Sequence, residues 1–504
     1  MNMKINQPRA NETQNRYHVA IDIGAGSGRL FAGYRAGGRL QLDELYRFQT
    51  GDLCLGDKHI RNIYRWWEHI LEGLKRFVEK YGARLESLGA DSFGSDFVFL
   101  DGQGNIPKMP VAYRYAQPSP EAMRILNDFG PERMFAICGN HTMKNDTVLQ
   151  MIDEGLRENS VLEHAHGFLF FGDIFQYFLC GKACTELSMA SYSKMMNQET
   201  WMWEDGIFRS FHLSDDLKMP VVRSGDRLGR VYPAICEQVG LEEPPEVVTP
   251  AIHDTADAAF VVPDRRPGTY FNSSGSWSLV GTVVERPVLT REAWAFNCSN
   301  SNMPIDRYMF KKNVAGMWVM QRCQAEWEKY SFGEIAGMAG TVEDNAYYFD
   351  PDAERFFNPK SMSVEISRDL QERYGVSIDA GDVPRLARIA LESLALKYRY
   401  TLERLGQICS IPAQRMYIVG GGCQNTLLNQ LSANACGIPI YAGIPEASVA
   451  GNILCQMYGL GEISGEEEAH ALVKNSFRID EYLPEDAELW QKKYWAFTAD
   501  VLKI

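Results

Sequence analysis

The residues with chemistry to offer begin at His253-Asp254-Thr255. A carboxylate flanked by an imidazole and a hydroxyl can accept a proton from an alcohol that its neighbours hold in place. Asn272-Ser273-Ser274-Gly275-Ser276 follows shortly after, a run of small residues whose backbone N–H groups and hydroxyls can approach an anion closely. A similar run lies near the start, at Asp22-Ile23-Gly24-Ala25-Gly26-Ser27-Gly28-Arg29, and Gly420-Gly421-Gly422 forms a third ahead of Asn425–Gln430. Helix-start amides beyond those last glycines favour phosphate. Asp91–Asp96 and Arg114 supply carboxylate and guanidinium groups of the kind that pair with vicinal hydroxyls. Each has a plainer reading. Asp254 can be a helix N-cap, Ser273–Ser276 an ordinary turn, Gly420–Gly422 a tight crossover, and Arg114 a surface ion-pair residue.

These side chains need elements to position them. Val247–Ile252 is apolar and β-branched, a strand signal, and good helix formers follow Asp254, which puts Asp254 at a strand-to-helix corner. Thr269–Gly281 reads as two strands joined by small residues, and Tyr17–Tyr34 has the same form. Two such hairpins, one in each half of the chain, suggest two like domains whose tips grip one nucleotide from opposite sides. Other phosphate-binding designs are excluded. Arg29 stands where the third glycine of a dinucleotide fingerprint belongs and a strand follows it, and no P-loop pattern occurs. The Gly- and Pro-containing stretch Ser224–Pro250 marks a boundary, giving a tail over 1–16, a first domain over 17–249 and a second over 250–504. Ile63–Tyr81 and Leu386–Leu405 have helical apolar spacing, Leu88–Asp101 reads as strand, polar turn and strand, and Lys311–Gln321 as the start of a helix.

Composition narrows the class. A chain of 504 residues, 45% hydrophobic and 23% charged, fits a globular protein of several domains. Its formal net charge of −14 argues against broad nucleic-acid binding. There is no apolar run approaching the ~20 residues of a membrane span and no secretory leader in Met1–Arg16, so the expected place is the cytoplasm. Eleven scattered cysteines are expected to be reduced thiols there, and the Cys180/Cys184 pair has no zinc-site spacing.

Taken in order, these pieces resemble the FGGY carbohydrate kinases, and within them the branch that acts on L-rhamnulose. The likeness runs from Tyr17 to Leu460 through Asp22–Arg29, Gly94 with Asp96-Phe97, Pro110–Arg114, His253–Ala256, Ser273–Leu279, Asn313 with Gly316 and Gln321, Val419–Gln430 and Glu446-Ala447-Ser448. It implies an α/β fold of two ribonuclease-H-like (actin-like) domains around a cleft, the first on the sugar side and the second on the ATP side. The implied activity is ATP-dependent phosphorylation of the primary 1-hydroxyl of a ketose, L-rhamnulose first, with fuculose, xylulose or ribulose as the alternatives. A non-catalytic regulator on the same fold is the distant one. Carried over residue by residue, Asp254 is the general base, and Gly94, Arg114, His253, Thr255 and Asn313 touch the sugar. Ala25, Gly26, Ser27, Gly28, Arg29, Ser276, Gln321 and Gly421 contact ATP. Asp22, with Asp254, places Mg²⁺, Asp22 through water. The implied partners are the ketose and ATP, with no nucleic acid or membrane, in a monomer or homodimer. Phe93, Ser95, Tyr115 and the polar loop Gly139–Thr147 depart from the family pattern on the sugar side.

Overall fold

The computed structural model describes residues 15–504 apart from residue 344. The tail expected over 1–16 therefore lies almost wholly outside the described residues. The first half of the chain builds a six-stranded sheet from β1 (Tyr17–Ile23), β2 (Ser27–Ala36), β3 (Arg39–Gln49), β4 (Ser87–Ser92), β5 (Arg227–Arg230) and β6 (Glu246–Val248), in the order β5-β6-β4-β1-β2-β3. Helix α1 (Ile63–Tyr81) packs Trp66, Ile70, Leu74 and Phe77 on it, the stripe its spacing requires. A side layer includes α2 (Leu187–Tyr192) and has a core of its own around Phe168, Phe170 and Phe208.

After α3 (Asp254–Phe260) comes a seven-stranded sheet of β7 (Thr269–Ser274), β8 (Trp277–Val284), β9 (Cys298–Met303), β10 (Arg307–Ala315), β11 (Arg415–Val419), β12 (Ile440–Gly443) and β13 (Ile479–Tyr482), in the order β9-β10-β8-β7-β11-β12-β13. Helices α4 (Trp318–Glu326), α5 (Val383–Cys409), α6 (Thr426–Cys436) and α7 (Ala447–Gly459) complete this half. The repeat is visible in the pairing. In each sheet the leading strand, β1 or β7, lies between its antiparallel hairpin partner and a parallel strand, β4 or β11. β1 is buried along almost its whole length, as a central strand covered on both faces must be.

The halves share a core. α7 lies against α3 and against β1 and β4, so Ile453 and Leu454 meet Ala20, Phe31 and Phe260. The approach is close: a Cβ on Gly451 would come 2.3 Å from the Asp257 carbonyl oxygen.

Several expectations need correction. Lys311–Gln321 does not open a helix. The chain stays in β10 to Ala315, between β8 and β9, and α4 starts at Trp318. Pairing on both edges overrides local preference, and Gly316 marks the turn because a Cβ there would sit 2.5 Å from the Trp277 carbonyl carbon. Ser224–Pro250 is not a plain linker, for it contributes β5 and β6 to the first sheet. The strand expected over Val247–Ile252 ends at Val248. The strand, turn and strand read over Leu88–Asp101 are present, and they join different sheets: β4 the main one, while Phe97–Asp101 pairs with Ala165–Phe170. Among the described residues no helix is long and apolar enough to cross a membrane, and all eleven cysteines are free thiols.

Candidate active site

Asp22 in β1 lies opposite Arg29 in β2 and beside Asp91 in β4. The Arg29 guanidinium donates to the carboxylates of both Asp22 and Glu446. From α7, Ser448 Oγ donates to Asp22 Oδ2 at 2.9 Å and Asn452 Nδ2 to Asp91 Oδ2 at 2.6 Å. Spacing of four places both donors on one helix face, so a single helix answers two neighbouring aspartates. Burial works against the Arg29 charge, but Asp22 and Glu446 outweigh it and raise its affinity for the proton.

The first hairpin tip is held by its own backbone and by Thr50. Gly24 N–H donates to Ser27 O at 3.0 Å, and Thr50 Oγ1 donates to Gly24 O at 2.7 Å. Gly26 is exposed, and a Cβ there would meet nothing within 4 Å, so this face is open to a ligand. Gly28 is different: a Cβ would strike the Phe48 ring at 2.2 Å, and the residue is small for packing.

The second tip is stitched to α4. Met317 N–H donates to Gly275 O at 3.0 Å, Trp318 N–H to Ser276 O at 3.1 Å, and Ser276 Oγ to Gln321 Oε1 at 2.8 Å. The glycine run lies behind it, since a Cβ on Gly422 would fall 2.0 Å from Ser274 Oγ, while Gly421 has open space. Gly420, at φ +79°, donates to Ile444 O at 3.1 Å, and two residues on is Glu446, the partner of Arg29. A continuous chain of contacts thus joins the two tips.

Asp254 is the first residue of α3, not its cap; the cap position is His253, whose side chain caps nothing. Asp254 Oδ1 accepts from Thr255 Oγ1 at 3.1 Å. Burial pushes its carboxyl up to about 6, with the Asp22 charge adding to the rise and hydrogen bonds from Thr255 opposing it. Burial also keeps His253 neutral, helped by the nearby Lys311 and Lys194. His253 Nδ1 and Asn313 Oδ1 are buried without a partner among the described residues. The Tyr192 ring lies 5.0 Å from the His253 ring, and it fills the space beside Gly94, where a Cβ would come 2.5 Å from Tyr192 Cε1. The next residue, Ser95, is a non-glycine at φ +78°.

The structure therefore gathers Asp254, His253 and Thr255 around one corner, with Gly94 and His253 both against Tyr192, and Ala25–Arg29, Ser276, Gln321 and Gly421 along the two joined tips. Arg114 lies where the two halves meet. Its Nε donates to Tyr113 Oη at 3.2 Å and its guanidinium stacks on Trp318 at 5.3 Å, which bridges the two halves. No group of three or more His, Cys, Asp or Glu side chains among the described residues could hold a metal ion by itself. Sequence reasoning did not single out Tyr192, Lys194 or Asn452, because nothing in their neighbourhoods marks them; their importance comes from contacts with distant segments.

The polar departures in the Gly139–Thr147 loop are tied down inside the protein. Asn140 Nδ2 donates to Cys138 O and Ser191 O, His141 Nδ1 pairs with Ser299 Oγ at 3.0 Å, Lys194 Nζ donates to Asp146 Oδ1 at 2.8 Å, and Thr147 Oγ1 to Ser95 O at 3.2 Å. Phe93 is likewise a packing residue, edge-on to Phe171 and beneath the Arg61 guanidinium.

Comparison with known proteins adds a framework. Residues 17–261 match the family model for the N-terminal domain of the FGGY family of carbohydrate kinases, and residues 270–460 that for its C-terminal domain. The chain is 32% identical to the rhamnulokinase of Bacteroides thetaiotaomicron over 95% of its own length and 98% of the relative's. It is 30% identical to that of Oceanobacillus iheyensis over 92% and 98%. Among solved structures it is similar to a ligand-bound xylulose kinase from Lactobacillus acidophilus (TM-score 0.78, 12% identity, 97% of this chain and 99% of that one). It is also similar to Plasmodium falciparum glycerol kinase with ADP (TM-score 0.76, 11% identity, 97% and 98%).

Proposed function

Because the chain belongs to the FGGY family of carbohydrate kinases, and so is an ATP-dependent sugar kinase, we propose that it phosphorylates the primary 1-hydroxyl of a ketose, L-rhamnulose, with Asp254 as the base. The single observation that carries this is the Asp254 corner. A half-buried carboxyl near Asp22 and Arg29 follows directly on His253, whose Nδ1 is buried without a partner among the described residues, as is Asn313 Oδ1 on β10. Buried polar groups are rarely left unpaired, and a sugar hydroxyl would satisfy both. Gly94 and Thr255 would complete the sugar contacts. Arg114, stacked on Trp318, would act at the cleft mouth and reach the sugar on closure.

Phosphoryl transfer asks the protein to position reactants and neutralise charge. The backbone from Ala25 to Gly28 would take phosphate oxygens at one tip, and Ser276, Gln321 and Gly421 would hold the nucleotide at the other, with Arg29 supplying positive charge. Asp254 accepts the hydroxyl proton as the O–P bond forms and ADP leaves. Mg²⁺, when bound, lowers the charge on the phosphates. The residues fit an indirect contact. Asp22 Oδ2 is already engaged by Arg29 and Ser448, so Asp22 and Asp254 would reach the ion through water, and phosphate oxygens and waters would fill its shell. Two domains closing on the substrates would keep water from the γ-phosphate.

L-Rhamnulose is favoured by the names of the relatives. The polar loop does not argue against it, since the side chains of Asn140, His141, Asp146 and Thr147 are each engaged within the protein. Coupled ADP release measured across L-rhamnulose, fuculose, xylulose and ribulose tests the proposal. The expected result is the highest kcat/KM with L-rhamnulose; no turnover with any of them overturns it.

A further inference from the structure

Asp254 heads a helix of only seven residues whose cap side chain makes no hydrogen bond. Such a helix cannot define its own start, because its first amides have no intrahelical partner and a short helix is marginal. The corner ahead of it must be held from outside. The holder is a segment that precedes it in sequence by about sixty-six residues, judging from the separation of the bonded pair Glu186 and Ile252.

Glu186, fully buried, accepts four hydrogen bonds. Oε2 takes Ile252 N–H at 2.9 Å, Ser188 N–H at 2.9 Å and the Ser188 hydroxyl, and Oε1 takes the Ser224 hydroxyl at 2.9 Å. Ser188 Oγ, oriented by that carboxylate, accepts His253 N–H at 3.1 Å. Ile252 O in turn accepts from Ser92 N–H at 2.7 Å. The two residues before Asp254 are thus pinned through their amides on one side and their carbonyl on the other. Four residues beyond Ser188, the Tyr192 ring covers the His253 imidazole. The same helix reaches the second sheet, where Ser191 Oγ accepts Asn302 N–H at 3.2 Å. Among the described residues no other side chain supplies an acceptor to the Ile252 and His253 amides.

We propose that Glu186, Ser188 and Tyr192 are positioning residues for the reaction: together they fix the direction of the Asp254 carboxylate by holding the backbone and ring of the residues before it, and they do so from the layer that also forms the sugar side. The inference rests on the reading of Asp254 as the base.

The test is steady-state kinetics on Ser188→Ala, Glu186→Ala and Glu186→Gln in the full-length protein, alongside Asp254→Asn, with thermal unfolding of each. Ser188→Ala removes the one acceptor for His253 N–H, and a small misplacement of the base should lower kcat by about 10–100-fold. KM for ATP stays within about twofold, because the nucleotide residues lie on the tips. Glu186→Gln keeps an acceptor oxygen facing Ile252 and Ser188 and restores most of the kcat lost in Glu186→Ala. If Glu186→Ala does not fold, Ser188→Ala decides. Full kcat in folded Ser188→Ala overturns the inference, as does a loss expressed equally in KM for ATP. Full turnover in Asp254→Asn would instead overturn the base assignment on which it stands.

Discussion

Asp22 and Asp254 are the same residue type facing one cleft, and the protein treats them in opposite ways. Asp22 sits mid-sheet in the first half with its charge met by the Arg29 guanidinium and its remaining valence by the Ser448 hydroxyl. Asp254 stands at a helix start with the adjacent Thr255 hydroxyl as its side-chain partner, and burial lifts its carboxyl to about 6. A carboxylate held by a guanidinium and a hydroxyl is fixed in place. One that is desolvated and lightly bonded is free to pick up a proton. The difference in surroundings is what the proposed division of labour rests on, with Asp22 at the phosphates and Asp254 as the base.

The comparison can be broken most sharply at Asp254. Asp254→Asn should lower kcat by about 10²–10⁴-fold, the range for removing a general base, while calorimetry still detects ATP binding. A comparable loss of ATP binding would place the residue on the nucleotide instead. Arg29→Ala attacks the other member. It leaves Asp22 and Glu446 facing each other without their cation, at a cost of about 3 kcal/mol, the low end for a broken buried pair because the site is partly exposed. Chemical denaturation should show it, and KM for ATP should rise. The pH profile sharpens the contrast. Asp254 must be ionised to act, so kcat/KM should fall about tenfold per unit of pH below about 6 and be flat above it; in Asp254→Asn the residual rate should lose that limb. The smallest expected effect separates approach from packing at the tips. Gly26→Ala should leave thermal stability unchanged and raise KM for ATP, since its Cβ would meet no protein atom. Gly422→Ala should cost about 1–2 kcal/mol by crowding Ser274.

The parts of this architecture set by local pattern were legible in the sequence. Strand-like runs joined by small-residue tips announced both hairpins, the apolar stripe of Ile63–Tyr81 announced α1 to the residue, and the corner at Asp254 followed from β-branched residues running into helix formers. What local pattern could not convey was set by partners far along the chain. Lys311–Ala315 looks helical until β8 and β9 are placed on either side of it. Arg114 gives no sign in the sequence of the stacking on Trp318 that ties it to the other half. Glu186 and Ser188 carry no local mark of their part, which is set by the Ile252 and His253 amides. The polarity of Gly139–Thr147 suggested a wetter sugar pocket, whereas four of its side chains are spent on internal bonds. In each case the side chain was visible, and the atom that would claim it was not.

Helix α7 is encoded near the end of the chain yet packs against β1 and β4, where Asn452 donates to Asp91 Oδ2 and Gln456 to the Val19 carbonyl. During synthesis the leading sheet therefore emerges from the ribosome with an unlined face and waits for more than half the polypeptide before that face is closed. The nascent first half cannot reach its finished state as an independent unit, so the last stage of maturation is shared by both halves and the cleft is assembled only when translation is nearly complete.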